Sequence, residues 1–225
     1  MTIRAKLVTA VTVAIAGLAL TAGAGIWGMN RLSERFDGVQ DASDARALAL
    51  QLKFGVTDFN GWQTAYGYDN GESRPIFLDS VGHFRRDLAD AQRVLTQPQE
   101  RRLLDRVTAA FNDFMQIDGE AFAALQAGRT DKVKELFLGP EIANFRRAAA
   151  AAQSLAAYEA ARSVDQDRAF KDARKDALRL LIAVSVIAGL LVVILLITAN
   201  DLARAAEEGL ARTPPPDEPD PRTTA

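Results

Sequence analysis

Between residues 58 and 69 the chain reads DFNGWQTAYGYD, which places two carboxylates, an indole, two primary amides and two phenols close together. If this stretch is helical, Asp58, Trp62, Ala65 and Asp69 share one face. Phe59, Gln63 and Tyr66 occupy the neighbouring one. Aromatic walls beside carboxylates would suit a small cationic or amphipathic ligand, so Asp58, Trp62, Gln63, Tyr66 and Asp69 are the candidate ligand-binding residues. A plainer reading stands beside this one: Trp62 and Tyr66 are large core-edge residues whose polar ends reach water or a neighbouring helix. The residues alone favour that core-rim reading. Either way, Gln63 and Tyr66 replace aliphatic residues in a core row, and an unpartnered polar group there costs about 1–3 kcal/mol.

Other candidates are weaker. Asp118, in FMQIDGEAF, sits at the edge of an apolar stripe, where it could pair with Arg146 or Arg147 or answer a ligand; a rim position facing solvent is the simpler expectation. The arginines at 85, 86, 93, 101, 102, 146 and 147 are interspersed with acids and read as a solvated face. The chain has no cysteine, which excludes disulfides, zinc–thiolate sites, iron–sulfur clusters and Cys nucleophiles. Its single histidine, His83, excludes a multi-histidine metal site and is expected to face solvent. No glycine-rich phosphate loop and no His-based triad is present, so the expectation is a non-enzyme without cofactor or metal. A formal net charge of -2, from 27 Lys+Arg against 29 Asp+Glu, argues against nucleic acid as a partner.

The elements that must carry these residues are set by hydropathy. Residues 7–29 and 180–199 contain no charged side chain. Each reaches the roughly 20 apolar residues that a helix needs to cross a bilayer, which makes the lipid bilayer itself an expected partner. The first run has a rival reading as a cleaved signal peptide, with Ala22–Gly25 as the small-residue site. Its continuation through Ile26 and Trp27 favours an uncleaved span. Arg4 and Lys6 place residues 1–6 in the cytoplasm. Residues 30–179 then lie outside the inner membrane, and residues 200–225 return as a short, partly disordered tail. The basic cluster Lys171, Arg174, Lys175 and Arg179 opposes this orientation, although long translocated domains escape the charge rule.

Between the spans the sequence reads as helix, broken only at NGESRP (70–75), TQPQE (96–100), AGRTD (127–131) and LGPE (138–141). Apolar residues recur in steps of three and four. The rows are Ala42, Ala45, Ala49, Leu52, Val56, Phe59; Phe77, Val81, Phe84, Leu88, Ala91, Leu95; Leu103, Val107, Ala110, Phe114, Ile117, Ala121, Ala124; and Ile142, Phe145, Ala149, Ala152, Ala156. A period near 3.5 belongs to helices that pack on one another. Four of them joined by short turns give the expected fold: all-α, an up-down-up-down four-helix bundle between two transmembrane helices. Ser73 or Asn70 ahead of Pro75, and Thr130 ahead of Asp131, are the expected caps, and Gly128 the expected helix end.

A short basic N-terminus (MTIRAKL), span, helical outer domain and second span, with DFNGWQTAYGYD, RPIFLDSVGHFRRDLADA and ALQAGRTDKVKELFLGPE, together resemble the four-helix-bundle sensor region of bacterial methyl-accepting chemotaxis receptors. The resemblance covers residues 1–200. It implies a membrane-anchored, chemoreceptor-like sensor that binds a small ligand or partner outside the membrane, in a chain expected to be a homodimer. The sequence departs from the family after the second span, where NDLARAAEEGLARTPPPDEPDPRTTA stands in place of a HAMP module and signalling coiled coil. That departure leaves an alternative open: an accessory or truncated receptor serving as a membrane interaction or scaffold protein, with full-length chemoreceptors or another signalling protein as partner.

Overall fold

A computed structural model describes residues 3–211 of the chain. It is helical: α1 (Ile3–Tyr68), α2 (Arg74–Val94), α3 (Pro98–Gln126), α4 (Thr130–Leu136), a π turn (Phe137–Glu141) and α5 (Ile142–Ala211), with no strand among the described residues. The all-α class read from the periodicity is thus present. The tail expected to be disordered, from Pro214, lies outside the described residues. The chain divides into two compact units, one of residues 1–33 with 173–225 and one of residues 34–172, and α1 and α5 contribute to both.

In the first unit the α1 and α5 segments meet through small residues. A Cβ added to Gly17 would lie 3.9 Å from Leu191, and one added to Gly28 would lie 3.6 Å from Ala177. Thr12 and Thr21 donate their hydroxyls to the carbonyls of Val8 and Gly17, both at 2.9 Å, which satisfies polar groups within the helix itself. Leu18, Ile182 and Ile194 stand uncovered by protein. Two helices hold stretches long and apolar enough to cross a membrane, by length and composition.

The second unit has its own core, drawn from α1, α2, α3 and α5. The α1 row from Ala42 to Phe59 and the α2 row from Phe77 to Leu95 are buried throughout, because residues three and four apart line one helix face. The α3 and α5 rows are displaced in part. Ile117 is half-buried while its neighbour Asp118 is fully buried. On α5 the buried positions include Ala148, Ala152 and Leu155, with Ile142 exposed. Phe59 anchors the centre, its ring centroid 5.1 Å from Phe84, 5.6 Å from Phe111 and 4.8 Å from Phe114. Burial of each such ring stabilises the unit by about 1.5–3 kcal/mol. Gly55 makes room for this cluster, since a Cβ there would come within 2.7 Å of the Phe84 ring.

The breaks fall near the expected places, but the capping chemistry differs. Asn70 and Gly71 take φ of 57° and 96°, and Gly128 takes 67°, so the turns after α1 and α3 use left-handed backbone. Ser73 is the residue before α2 but makes no side-chain cap to the helix; its hydroxyl goes to Asp69 instead. Thr130 is the first residue of α4 rather than its cap. At the start of α3 the Gln97 N–H donates to the Glu100 carboxylate at 2.8 Å. The LGPE sequence does not end the helix. Pro140 is accommodated in the π turn, which leads directly into α5.

Candidate functional site

A buried polar centre lies within the second unit, built from three helices. Asp118, in the apolar stripe of α3, is fully buried and accepts three hydrogen bonds at one oxygen. Gln63 Nε2 donates at 3.0 Å, Arg74 Nη1 donates at 2.7 Å, and the Tyr66 hydroxyl donates as well. This corrects the rim position expected for Asp118, and its cationic partner is Arg74 rather than Arg146 or Arg147. The reason is register: Gln63 and Tyr66 continue the α1 core row inward, and an opposing acceptor must enter the core to satisfy them. Arg147 pairs instead with Asp113 at 3.3 Å.

The Arg74 guanidinium enters the core from the first turn of α2, immediately ahead of Pro75. Its central carbon lies 4.7 Å from the Tyr66 ring, 4.7 Å from Phe77 and 4.3 Å from Phe122. Three π faces and one carboxylate therefore stabilise a cation taken largely out of water. Burial, with the neighbouring Asp118 carboxylate, pushes the Tyr66 phenol far above its ordinary range, so it remains a donor at working pH. The satisfaction is lopsided. Asp118 Oδ2, Arg74 Nε and Gln63 Oε1 are buried with no hydrogen-bond partner, a polar set of the kind that holds an internal water.

Next to this centre lies a cleft of about 690 Å³ between α1, α3, α4, the π turn and α5. Its apolar lining includes Leu125, Phe137, Leu138 and Phe145. Gly67 on α1 permits the closeness of the wall, for a methyl group there would run into the Phe137 ring. The charged lining residues are Lys134, Glu141 and Arg146. Glu141 closes the π turn and is only 6% exposed, yet among the described residues nothing hydrogen-bonds its carboxyl group. Burial first, and repulsion from Asp118 second, raise its pKa to about 7. A carboxyl group that changes charge near neutrality, without a partner, in the wall of a cleft, is the chemically poised element of this unit.

The five residues singled out from sequence are not brought into one pocket. Gln63 and Tyr66 join the polar centre. Trp62 is half-buried against the core, as the core-rim reading expects. Asp58 is exposed on α1 and accepts the Ser80 hydroxyl from α2. Asp69 organises the turn after α1, accepting from Gly71 N at 3.2 Å, Ser73 N at 3.0 Å and Ser73 Oγ at 2.5 Å. Those bonds, led by that from the Ser73 hydroxyl, lower its pKa. Arg74, Glu141 and Lys134 were not singled out. The available signal was the unsatisfied need of Gln63 and Tyr66, and Asp118 within a stripe of α3.

A second buried ionic set joins α3 and α5: Arg162 bridges Glu100 and Glu159, meeting Glu159 at 3.2 Å. Burial and the proximity of Glu100 raise the Glu159 pKa. His83 is exposed, as expected, beside Asp79 and Arg86. Among the described residues no group of three or more His, Asp and Glu side chains is placed to hold a metal ion. The chain matches no protein-family model, and neither the curated proteins nor the solved structures give a match.

Proposed function

We propose that this chain is a membrane-anchored sensor in which the second unit, outside the inner membrane, binds a small ligand in the cleft beside Glu141. The observation that carries the reading is the cleft itself: about 690 Å³, within the usual range for small-molecule sites, with the carboxyl group of Glu141, hydrogen-bonded by nothing among the described residues, in its wall. The location of that group on a π turn adds support, since such turns recur at functional sites. Both helices with bilayer-length apolar stretches, α1 and α5, also supply core residues to the second unit. Displacement of Phe137 or Phe145 by a ligand therefore acts on packing that includes those helices.

The up-down-up-down bundle belongs to the same proposal, and the order of contacts supports it. From α1 to α2, Phe59 meets Phe84 while the later Tyr66 meets the earlier Phe77. From α3 to α5, Glu100 meets Arg162 while the later Asp113 meets the earlier Arg147. From α1 to α3 the order is preserved, Phe59 with Phe111 and Tyr66 with Asp118. Opposed, preserved and opposed order is what alternating antiparallel neighbours give.

The test is a stabilisation screen of the full chain in lipid nanodiscs against small molecules of each charge class. A ligand that binds only the folded form raises the transition temperature in a concentration-dependent manner. A rise lost when Phe137 is replaced by alanine supports the reading. A folded chain whose transition no class of compound shifts contradicts it.

A further inference from the structure

The charges that line the cleft narrow the class of ligand, an inference that rests on the sensor reading above. We infer that the cleft takes an amphipathic anion, a monocarboxylate whose charged end meets Lys134 and Arg146 while its apolar body lies against Phe137, Leu138 and Phe145. Lys134 is exposed on α4 and Arg146 is exposed on α5, and neither side chain has an ion-pair partner among the described residues. Arg74, Arg93, Lys132, Arg147, Arg162, Arg168 and Lys171 of this unit each meet a carboxylate, and what distinguishes Lys134 and Arg146 is that both line the cleft. Two uncommitted cations on the rim of one apolar cleft form a site for a single negative charge with a greasy body.

Glu141 then sets the pH response of the site. The groups that face it are Asp118 from α3, the Tyr66 phenol from α1, and, within the same cleft, Lys134 from α4 and Arg146 from α5. Arg74 from α2 is committed to Asp118. Neither Lys134 nor Arg146 forms an ion pair with Glu141, and its ionised form would repel an incoming carboxylate. With its pKa near 7, Glu141 is mainly neutral at pH 6 and mainly charged at pH 8. An anion that binds only the neutral form loses about tenfold in affinity over that interval, as the neutral fraction falls from about nine-tenths to about one-tenth.

The experiment titrates the full chain in nanodiscs with 4-phenylbutyrate, 4-phenylbutanol and 4-phenylbutylammonium, which share one body and differ in charge. The expected result is saturable binding of the carboxylate in preference to the other two. Lys134→Ala and Arg146→Ala each weaken it about three- to tenfold, and both sites are exposed enough to leave the fold intact. Affinity falls about tenfold from pH 6 to pH 8 in the native chain, and Glu141→Gln abolishes that dependence. Tighter binding of the ammonium compound overturns the inference while leaving a ligand cleft in place. Carboxylate binding indifferent to Lys134 and Arg146, or no binding by any of the three, also overturns it; the sensor reading is then decided separately by the wider stabilisation screen.

Discussion

Replacing Glu141 by glutamine keeps the shape of the side chain and removes its charge, so it isolates the electrostatic cost of one buried carboxyl group. The native group has a pKa of about 7 against an ordinary value of 4.5. A raised pKa in an acid means that the folded state binds the proton more tightly than the unfolded state. Stability is then lost as pH rises from the unfolded value through the folded one, and the full cost is present above about 7. At about 1.4 kcal/mol per pKa unit, that cost is about 3 kcal/mol. Glu141→Gln is therefore expected to match the native chain near pH 4.5 and to exceed its stability by about 3 kcal/mol at pH 8. For a unit of this size the gain corresponds to roughly 10 °C in transition temperature. The assay is intrinsic tryptophan fluorescence during heating of the full chain in nanodiscs, where Trp62 packs against the core and reports on the second unit. Other titrating groups, Glu159 included, are common to both chains and cancel in the difference. A difference that does not change between pH 4.5 and pH 8, or a variant less stable at pH 8, would refute the reasoning.

Three further outcomes follow from the same packing. Asp118→Ala leaves the Arg74 guanidinium enclosed by Tyr66, Phe77 and Phe122 without its counter-ion, and is expected to cost about 3–5 kcal/mol in chemical denaturation. Gly67→Ala forces the Phe137 ring out of place, for a cost of about 1–3 kcal/mol, and a second change, Phe137→Leu, is expected to recover part of it. Asp58→Ala, outside the cleft lining, removes the acceptor of the buried Ser80 hydroxyl and is expected to cost about 1 kcal/mol of stability while leaving ligand-induced stabilisation unchanged.

Much of the second unit's framework was legible because it obeys a single period. Ala42 to Phe59 and Phe77 to Leu95 lie on the faces the spacing assigns, and both rows are buried without exception. The site was legible only by half. Gln63 and Tyr66 stood out as polar residues in a core row, but a sequence does not say which residue answers them. Asp118 is adjacent to Ile117, and a shift of one residue around α3 exchanges which of the two enters the core. Arg74 was masked by Pro75, which signals a helix start and says nothing of where the preceding side chain points. Glu141 was hidden by Gly139 and Pro140, which read as a break between helices. The chain absorbs that proline in a π turn instead, and the turn carries the carboxyl group into the wall of the cleft.

The most direct measurement places the cleft relative to the membrane. The chain has no cysteine, so a single Tyr68→Cys change, at an exposed residue lining the cleft, introduces the only reactive thiol. A membrane-impermeant maleimide applied to intact spheroplasts is expected to label this thiol fully before lysis, and bound ligand is expected to slow the labelling. Labelling that occurs only after lysis would put the cleft on the cytoplasmic side and contradict an extracytoplasmic sensor.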